Sequence, residues 1–465
     1  MKRKVTEILE GWKSSERRNC LLIRGARQVG KTYSVEEFAE SNYKHHLTVN
    51  LSLDERARSV FDGDLDVDRM ILGLSALFPE KTLDPYDTLI ILDEIQDCPR
   101  ARAALKAFSM DDRYDVIASG SLLGLRKNDV PSYPVGYEDE IRMDPMDFEE
   151  FLWAMGMRQE VIDHVKGHVA RAEPLGEPFL SAFSEYFRWY TVVGGMPAAV
   201  QSFVNGKRFD SVRRIQGDII RNYKDDVVKH AEPSERMIVG RCFDSISVQL
   251  ARDNKRFFLS QVQPDSGSNL GIDRYRYPLD WLENAGITLP CHNVTEPALP
   301  LEERRLGDRF KLYMFDTGLL LSMYDPNLVF DVYSGDMGVN KGAIIENLIA
   351  TMLYRQGRQL LYYRRDRDVD GRTDRMELDF LITTADGLVA VEVKSGSNRN
   401  CRSLNKVMDR YGLDGIMFET RDIHIDDKGV RHYPLFAAAF MDCIDPPRVI
   451  EPDMRDVDVL NAMFD

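Results

Sequence analysis

Long apolar runs are absent from this 465-residue chain. Leu435 to Met441 is among the longest, far short of the ~18 residues that a membrane-spanning helix needs. No membrane partner is therefore expected. Positive charge is not in excess either: 61 Lys and Arg stand against 76 Asp and Glu, a net charge of −15. That excludes a surface coated in positive charge for non-specific nucleic-acid binding, but not a local basic groove. The six cysteines, Cys20, Cys98, Cys242, Cys291, Cys401 and Cys443, contain no C-x-x-C pair. Scattered singly, they read as reduced thiols and not as a disulfide or zinc framework. Of the eight histidines, His164 and His168 have helical i, i+4 spacing, but Val165 stands where a zinc-protease motif has Glu. A solvated helix face is the plainer reading of that pair. No apolar stretch follows the basic start Met1-Lys2-Arg3-Lys4, so no export signal is read and a cytoplasmic location is expected.

What the chain does contain is an ordinary globular composition, with 43% hydrophobic and 29% charged residues. At roughly 150 residues per domain, its length suggests about three domains, and four small ones also fit. Over the first ~150 residues, strand-like and helix-like segments alternate. The apolar run Asn19 to Ile23, then Leu47 to Leu51, Thr88 to Leu92 and Tyr114 to Ala118 read as strands. Lys31 to Ser41 and Arg100 to Met110 read as helices. Such alternation indicates a parallel sheet covered on both faces. Beyond ~146 helices predominate, broken at Gly194-Gly195-Met196-Pro197. A small strand follows at Phe310 to Phe315, and the stretch from Asp325 to Asn340 reads as a boundary. A helix over Lys341 to Arg355 opens the last part, which continues in strand–turn–strand patterns.

Gly25-Ala26-Arg27-Gln28-Val29-Gly30-Lys31-Thr32 fits G-x-x-x-x-G-K-[ST] at every required position. It lies after a strand and before a helix, where a phosphate-binding loop has to lie. The glycines let successive backbone N–H groups wrap phosphates, and the helix N-terminus adds partial positive charge. Lys31 supplies a point charge to the β- and γ-phosphates, and Thr32 a hydroxyl to Mg²⁺. About 60 residues on, Leu92-Asp93-Glu94 closes an apolar strand. Asp93 is the candidate Mg²⁺ holder and Glu94 the candidate polariser of the attacking water. Ser119, at the end of a third strand, can sense the γ-phosphate, or it is a satisfied strand-end serine.

These segments, together with Pro145-Met146-Asp147-Phe148-Glu149-Glu150-Phe151, resemble the archaeal and bacterial AAA+ ATPases. More narrowly they resemble the subgroup with a C-terminal domain of unknown function. Gly194-Gly195-Met196-Pro197, Asp280 to Gly286 and Phe315-Asp316-Thr317-Gly318-Leu319-Leu320 carry the same resemblance. It implies an ATPase core over 1–155, a helical region over 156–240, a winged-helix-like region over 241–330 and a nuclease-like domain over 331–465. It also implies ATP with Mg²⁺ as cofactors and a homo-oligomer. One departure stands out. The subgroup has Gly-Arg shortly before Pro145, and this chain has Gly136-Tyr137, so no arginine finger is named. Arg113 and Arg142 are the nearby alternatives.

Near the C-terminus, Met376 to Ile382 and Leu388 to Lys394 read as a hairpin turning at Asp386-Gly387. Asp379, Glu392 and Lys394 then form the D…E-x-K layout that resembles the PD-(D/E)xK nuclease fold, with Glu346 on the upstream helix as a further acid. Clustered carboxylates recruit a divalent cation, Mg²⁺ or Mn²⁺, which lowers the pKa of a bound water. Lys394 can orient that water. A cross-strand Glu–Lys pair as a surface stabiliser is the competing reading. Arg364, Arg365, Arg367, Arg372 and Arg375, interleaved with Tyr362 and Tyr363, read as a nucleic-acid track with stacking tyrosines or as a charge-balanced loop. Arg252, Lys255 and Arg256 are the close basic cluster of the winged-helix-like region.

The whole reads as a multidomain α/β protein with a P-loop AAA+ core. It is expected to bind and hydrolyse ATP and to act on DNA, with nucleotide state gating a metal-dependent nuclease-like domain. The alternative is an ATP-switched DNA- or protein-binding regulatory module whose nuclease fold is catalytically silent.

Overall fold

The computed structural model describes all residues except 17, 122–135, 253–254, 263–271, 328–331, 333–340, 368–372, 397–400 and 446–465. Arg372 and most of the expected boundary between 325 and 340 lie outside the described residues.

The first sheet is formed by β1 (Cys20–Gly25), β2 (His45–Asn50), β3 (Thr88–Asp93), β4 (Asp115–Ser121) and β5 (Glu138–Arg142), in the order β2-β3-β4-β1-β5. All neighbours are parallel, which fits a P-loop AAA core. Buried strands in such a sheet need apolar residues on both faces, and β3 has them: every residue from Thr88 to Asp93 is buried. Leu89 and Ile91 join one core, whereas Ile90 and Leu92 join another with Val49, Val116 and Ala118. The first of these cores does not stop at the sheet. It runs on through Phe148, Phe187, Tyr190 and Phe243 to Phe380 and Phe418, so one apolar interior links the first sheet to the rest of the chain. β5 has no such apolar signature. Its sequence EDEIR is half-exposed at the sheet edge, and no hydrophobic pattern announced it.

Helices Gln159–Arg171, Phe179–Val193, Pro197–Gly206, Phe209–His230, Arg236–Leu250 and Ile272–Asn284 fill the middle. His164 is exposed on the first of them, and His168 binds the Pro174 carbonyl through Nδ1 at 2.9 Å.

A second sheet has eight strands. They are β6 (Thr288–Val294), β7 (Arg305–Met314), β8 (Leu361–Arg367), β9 (Thr373–Thr384), β10 (Gly387–Val393), β11 (Asp414–Glu419), β12 (His424–Ile425) and β13 (Arg431–Pro434). Their order is β12-β13-β11-β10-β9-β8-β6-β7. The β9–β10 hairpin pairs antiparallel from Gly387 with Thr384 to Val391 with Phe380. β6 pairs parallel with β8, so the sheet is continuous across residue 330, where a division between the winged-helix-like and nuclease-like regions is expected. The helices Arg236–Leu250 and Ile272–Asn284 precede the β6–β7 hairpin, and that hairpin extends the sheet.

Two readings of the basic segment are corrected. Arg364 and Arg365 are not in a loop: they lie in β8 opposite Glu377 and Met376 of β9. Tyr362 and Tyr363 are 2% and 0% exposed, so their rings pack in the interior and present no face to a base. The continuous run Leu360 to Tyr363 is buried on both faces of the sheet, Leu360 and Tyr362 in one core, Leu361 and Tyr363 in another.

Candidate functional site: a phosphate loop under a helical cover

Val29 and Gly30 bring the loop to the helix Lys31–Asn42. Gly30 sits at φ 94°, the left-handed region that favours glycine. A Cβ on Gly25 would lie 2.1 Å from the Met143 carbonyl oxygen, so only glycine lets β1 pass there. Arg3, 6% exposed, braces the loop from beneath, donating to the Val29 carbonyl at 2.9 Å and to Glu150 at 3.0 Å.

Lys31 Nζ donates to the carbonyls of Gly25 at 3.0 Å and Ala26 at 2.9 Å. Burial lowers its pKa to about 8, against the opposing pull of Glu94 and Asp93. Thr32 Oγ1 donates to Asp93 at 3.2 Å, Asn50 Nδ2 donates to Asp93 Oδ2 at 3.3 Å, and the Ser119 hydroxyl donates to Asp93 Oδ1. The adjoining tips of β1, β3 and β4 thus gather Lys31, Thr32, Asp93 and Ser119, at the sheet edge where open α/β folds bind ligands. The donor set fits Mg²⁺–nucleotide: a carboxylate and a hydroxyl oxygen side by side, with an ammonium behind the loop. Glu94 follows at φ 53° and accepts from the Gln96 amide.

Over this edge lies an open cleft of about 410 Å³, lined by Arg27, Lys31, Thr32, Asn50, Glu94 and Lys229 among others. Sequence reasoning missed Asn50 and Lys229. Lys229 comes from the helix Phe209–His230, whose Tyr223 hydroxyl donates to the Arg27 carbonyl at 2.8 Å and whose Asp226 takes the Arg27 guanidinium. A lysine near the end of a long helix carries no local motif. Arg113 pairs with Asp111 and Asp68, and Arg142 with Asp144. Neither lines this cleft.

The motifs at 145–151, 194–197 and 315–320 meet at a joint. Buried Asp316 accepts from Gly195 N at 2.6 Å and from Leu319 N at 3.0 Å. Met146 N donates to the Gly195 carbonyl at 2.7 Å, and Arg355 donates to the Met146 and Phe315 carbonyls at 3.0 Å each. A Cβ on Gly195 would lie 2.0 Å from the Met146 oxygen. These residues fasten the ATPase sheet to the helical region and to the helix Lys341–Arg355.

The second constellation surrounds Glu346, 2% exposed. It accepts from Lys311 Nζ at 2.7 Å, from Lys255 Nζ and from the Tyr313 hydroxyl. Burial raises its pKa, but Lys255 and Lys311 outweigh that and hold the carboxyl well below the usual range. Lys311 Nζ also lies 3.9 Å from Asp379 Oδ1. Asp379 Oδ2 accepts from Val393 N at 2.9 Å just past the paired part of the hairpin. Glu392 is paired with Lys394. Burial first, and the Asp379 charge next, push the Glu392 carboxyl up to about 8. Asp379 and Glu392 therefore feel one another's charge. Glu346 already has three partners. Lys255 is turned inward to it, not out towards a nucleic-acid backbone.

Together the strand order and the phosphate loop define an AAA-type P-loop domain, joined through a helical middle to a mixed sheet. Residues 17–152 match the family described as an AAA domain. Residues 184–328 and 341–432 match two families described as domains of unknown function, DUF8612 and DUF4143. No curated protein matches the chain. Similar solved structures include a Walker-type ATPase of Pyrococcus abyssi, with 13% identity and TM-score 0.43, covering 69% of this chain and 95% of that one. The Orc1 protein of Aeropyrum pernix in complex with DNA is another, with 13% identity and TM-score 0.29, covering 72% and 91%. Among the described residues no helix is long and apolar enough to cross a membrane.

Proposed function

We propose that the chain is an ATP hydrolase that works as a nucleotide-driven switch. The observation that carries this reading is the cluster of Lys31, Thr32, Asp93 and Ser119 at one sheet edge, beneath the helix that presents Lys229. Lys31 leaves the Gly25 and Ala26 carbonyls and binds the β- and γ-phosphates. Thr32 and Asp93 hold Mg²⁺, which neutralises charge on the phosphates when bound. Glu94 polarises water for attack on the γ-phosphate, and Ser119 registers whether that phosphate is present. Arg27 and Lys229 pass the nucleotide state to the helix Phe209–His230.

The output expected from the family resemblance is action on nucleic acid, with DNA as the partner. Lys255 and Lys311, which neutralise Glu346, favour the silent form of the nuclease-like fold, a binding module whose upstream acid is occupied by its own side chains. A gated, metal-dependent nuclease is the second reading, favoured by the pair Asp379 and Glu392, which feel one another's charge. Purified protein assayed for ATP hydrolysis, and for DNA cleavage with Mg²⁺ or Mn²⁺ in the presence and absence of ATP, separates the two. Hydrolysis without cleavage is the expected result. Nucleotide-dependent cleavage that is lost in Asp379→Asn establishes the second, and absence of hydrolysis overturns the switch.

A further inference from the structure

Glu419, His424 and His432 have no place in either site above. Glu419 closes β11, and His424 lies directly opposite His432 across the β12–β13 ladder. The two rings stack with centroids 4.2 Å apart and planes 19° apart. Glu419 Oε1 is 2.7 Å from His432 Nδ1 and 4.0 Å from His424 Nε2. Among the described residues, this is the one group of three or more His, Cys, Asp or Glu whose ligand atoms all lie within 4.8 Å of one another.

The outer nitrogens are already engaged. His424 Nδ1 meets the Asp422 carbonyl at 2.9 Å, and His432 Nε2 meets Asp426 Oδ2 at 3.4 Å. On His424 the carbonyl, which only accepts, puts the ring proton on Nδ1 and turns the Nε2 lone pair towards the cluster, as at histidine metal sites. These outer groups are themselves fixed. Asp426 accepts from Lys428 N and Val430 N at 2.9 Å each, and the Asp422 carboxylate accepts from Leu175 N and Gly176 N at 2.9 and 2.8 Å. His432 Nδ1 lies at hydrogen-bond distance from Glu419 Oε1, 2.7 Å, and a cation bound between them would take the place of the shared proton. In its absence the Arg421 guanidinium supplies positive charge to Glu419 Oε1 at 2.6 and 2.9 Å. Arg421 is about two-fifths exposed, so a metal ion that takes Glu419 Oε1 would release its guanidinium to solvent. His432 and Glu419 are buried, and half-buried His424 gives an entry path.

We propose that Glu419, His424 and His432 bind one divalent transition-metal ion of the Zn²⁺ type, clipping β12 and β13 to the end of β11. Two imidazoles and a carboxylate suit Zn²⁺ or Co²⁺ and not Mg²⁺, which prefers oxygen ligands. The site is independent of the nucleotide reading.

The test uses the full-length chain, stripped of metal by chelator and titrated with Co²⁺ in excess Mg²⁺, followed by visible ligand-field absorption and by competition with Zn²⁺. One equivalent is expected to bind with the intense bands of low coordination number. His424→Ala, at a half-exposed position, should weaken Zn²⁺ binding by about 10- to 100-fold or more while circular dichroism stays unchanged. His164→Ala, which breaks the other close histidine pair, should leave binding intact. No uptake by the wild-type chain overturns the proposal. So does undiminished uptake by His424→Ala, or loss of uptake in His164→Ala.

Discussion

Arg27 in the phosphate loop forms an ion pair with Asp226, 199 residues further along the chain. The contact joins the phosphate loop to the helix Phe209–His230 at the wall of the cleft. Burial raises the Asp226 carboxyl, and Arg27 draws it back down. Asp226→Asn keeps the shape and removes the charge. We expect a stability loss of about 1–2 kcal/mol, read by chemical denaturation. We also expect ATP to lose its power to slow amide exchange over residues 209–230. Undiminished nucleotide-dependent protection in the variant would show that the signal takes another route.

Lys31 and Glu94 should separate binding from chemistry. Lys31→Ala removes the charge on the phosphates and should weaken ATP binding at least tenfold, about 1.4 kcal/mol. Glu94→Gln keeps the binding surface and should slow hydrolysis by about 100-fold or more. Because burial lowers Lys31 to about 8, the empty site is increasingly neutral above that pH, whereas bound phosphates favour the ammonium. ATP binding should therefore take up a proton above about pH 8 and none well below it. Calorimetry in buffers of different ionisation enthalpy reads this directly.

Much of the first site was legible because its chemistry is local. Eight consecutive residues specify the phosphate loop, and apolar β3 placed Asp93 at a sheet edge. What escaped was assembled over distance. Lys229 and Asn50 have no motif, and Lys255 and Lys311 reach Glu346 from 91 and 35 residues away. Reading Arg364 and Arg365 as a possible solvated loop gave their charge more weight than the β-forming residues around them. The glycine and aspartate motifs at 194–197 and 315–320 were visible as resemblance alone, and their work at the Asp316 joint emerges from the fold.

Glu392 should make stability pH-dependent. Its folded-state pKa is raised from 4.5 to about 8, so across that window the folded chain holds a proton that the unfolded chain releases. Stability from this group is fullest below about pH 4.5, falls as pH rises towards 8, and is level above. Glu392→Gln removes the cost of the buried charge. Near pH 9 the variant should be more stable than wild type by roughly 1–3 kcal/mol, and near pH 4 the two should coincide. Urea denaturation at both pH values checks the sign.

Assembly bears on how the phosphoryl charge is stabilised. Arg113 and Arg142 are bound to acids on their own chain, and Tyr137 stands where an arginine is expected, with the Lys106 ammonium 5.1 Å from its ring centre. A site completed by a neighbouring subunit should give a larger species by light scattering with a non-hydrolysable ATP analogue. A monomer at every protein concentration would leave catalysis to groups within one chain, with Lys229 in the cleft beside Arg27 and Lys31.

The lysines around Glu346 yield the sharpest separation between a silent and a gated nuclease fold. A buried carboxylate needs compensating charge, and ammonium groups and divalent cations compete to supply it. Lys255 is the accessible competitor, its side chain about one-fifth exposed, whereas Lys311 is buried and its loss would disturb the fold. Lys255→Ala should free one side of Glu346 and strengthen Mn²⁺ binding about tenfold, a gain of about 1.4 kcal/mol. Water-proton relaxation reads that affinity, and Asp379→Asn in the same background should remove it. If wild type already binds Mn²⁺ as tightly as Lys255→Ala, the lysine does not stand in for a metal, and the gated nuclease becomes the better account. If neither binds Mn²⁺ and neither cleaves DNA, the carboxylates serve the sheet and the binding module remains.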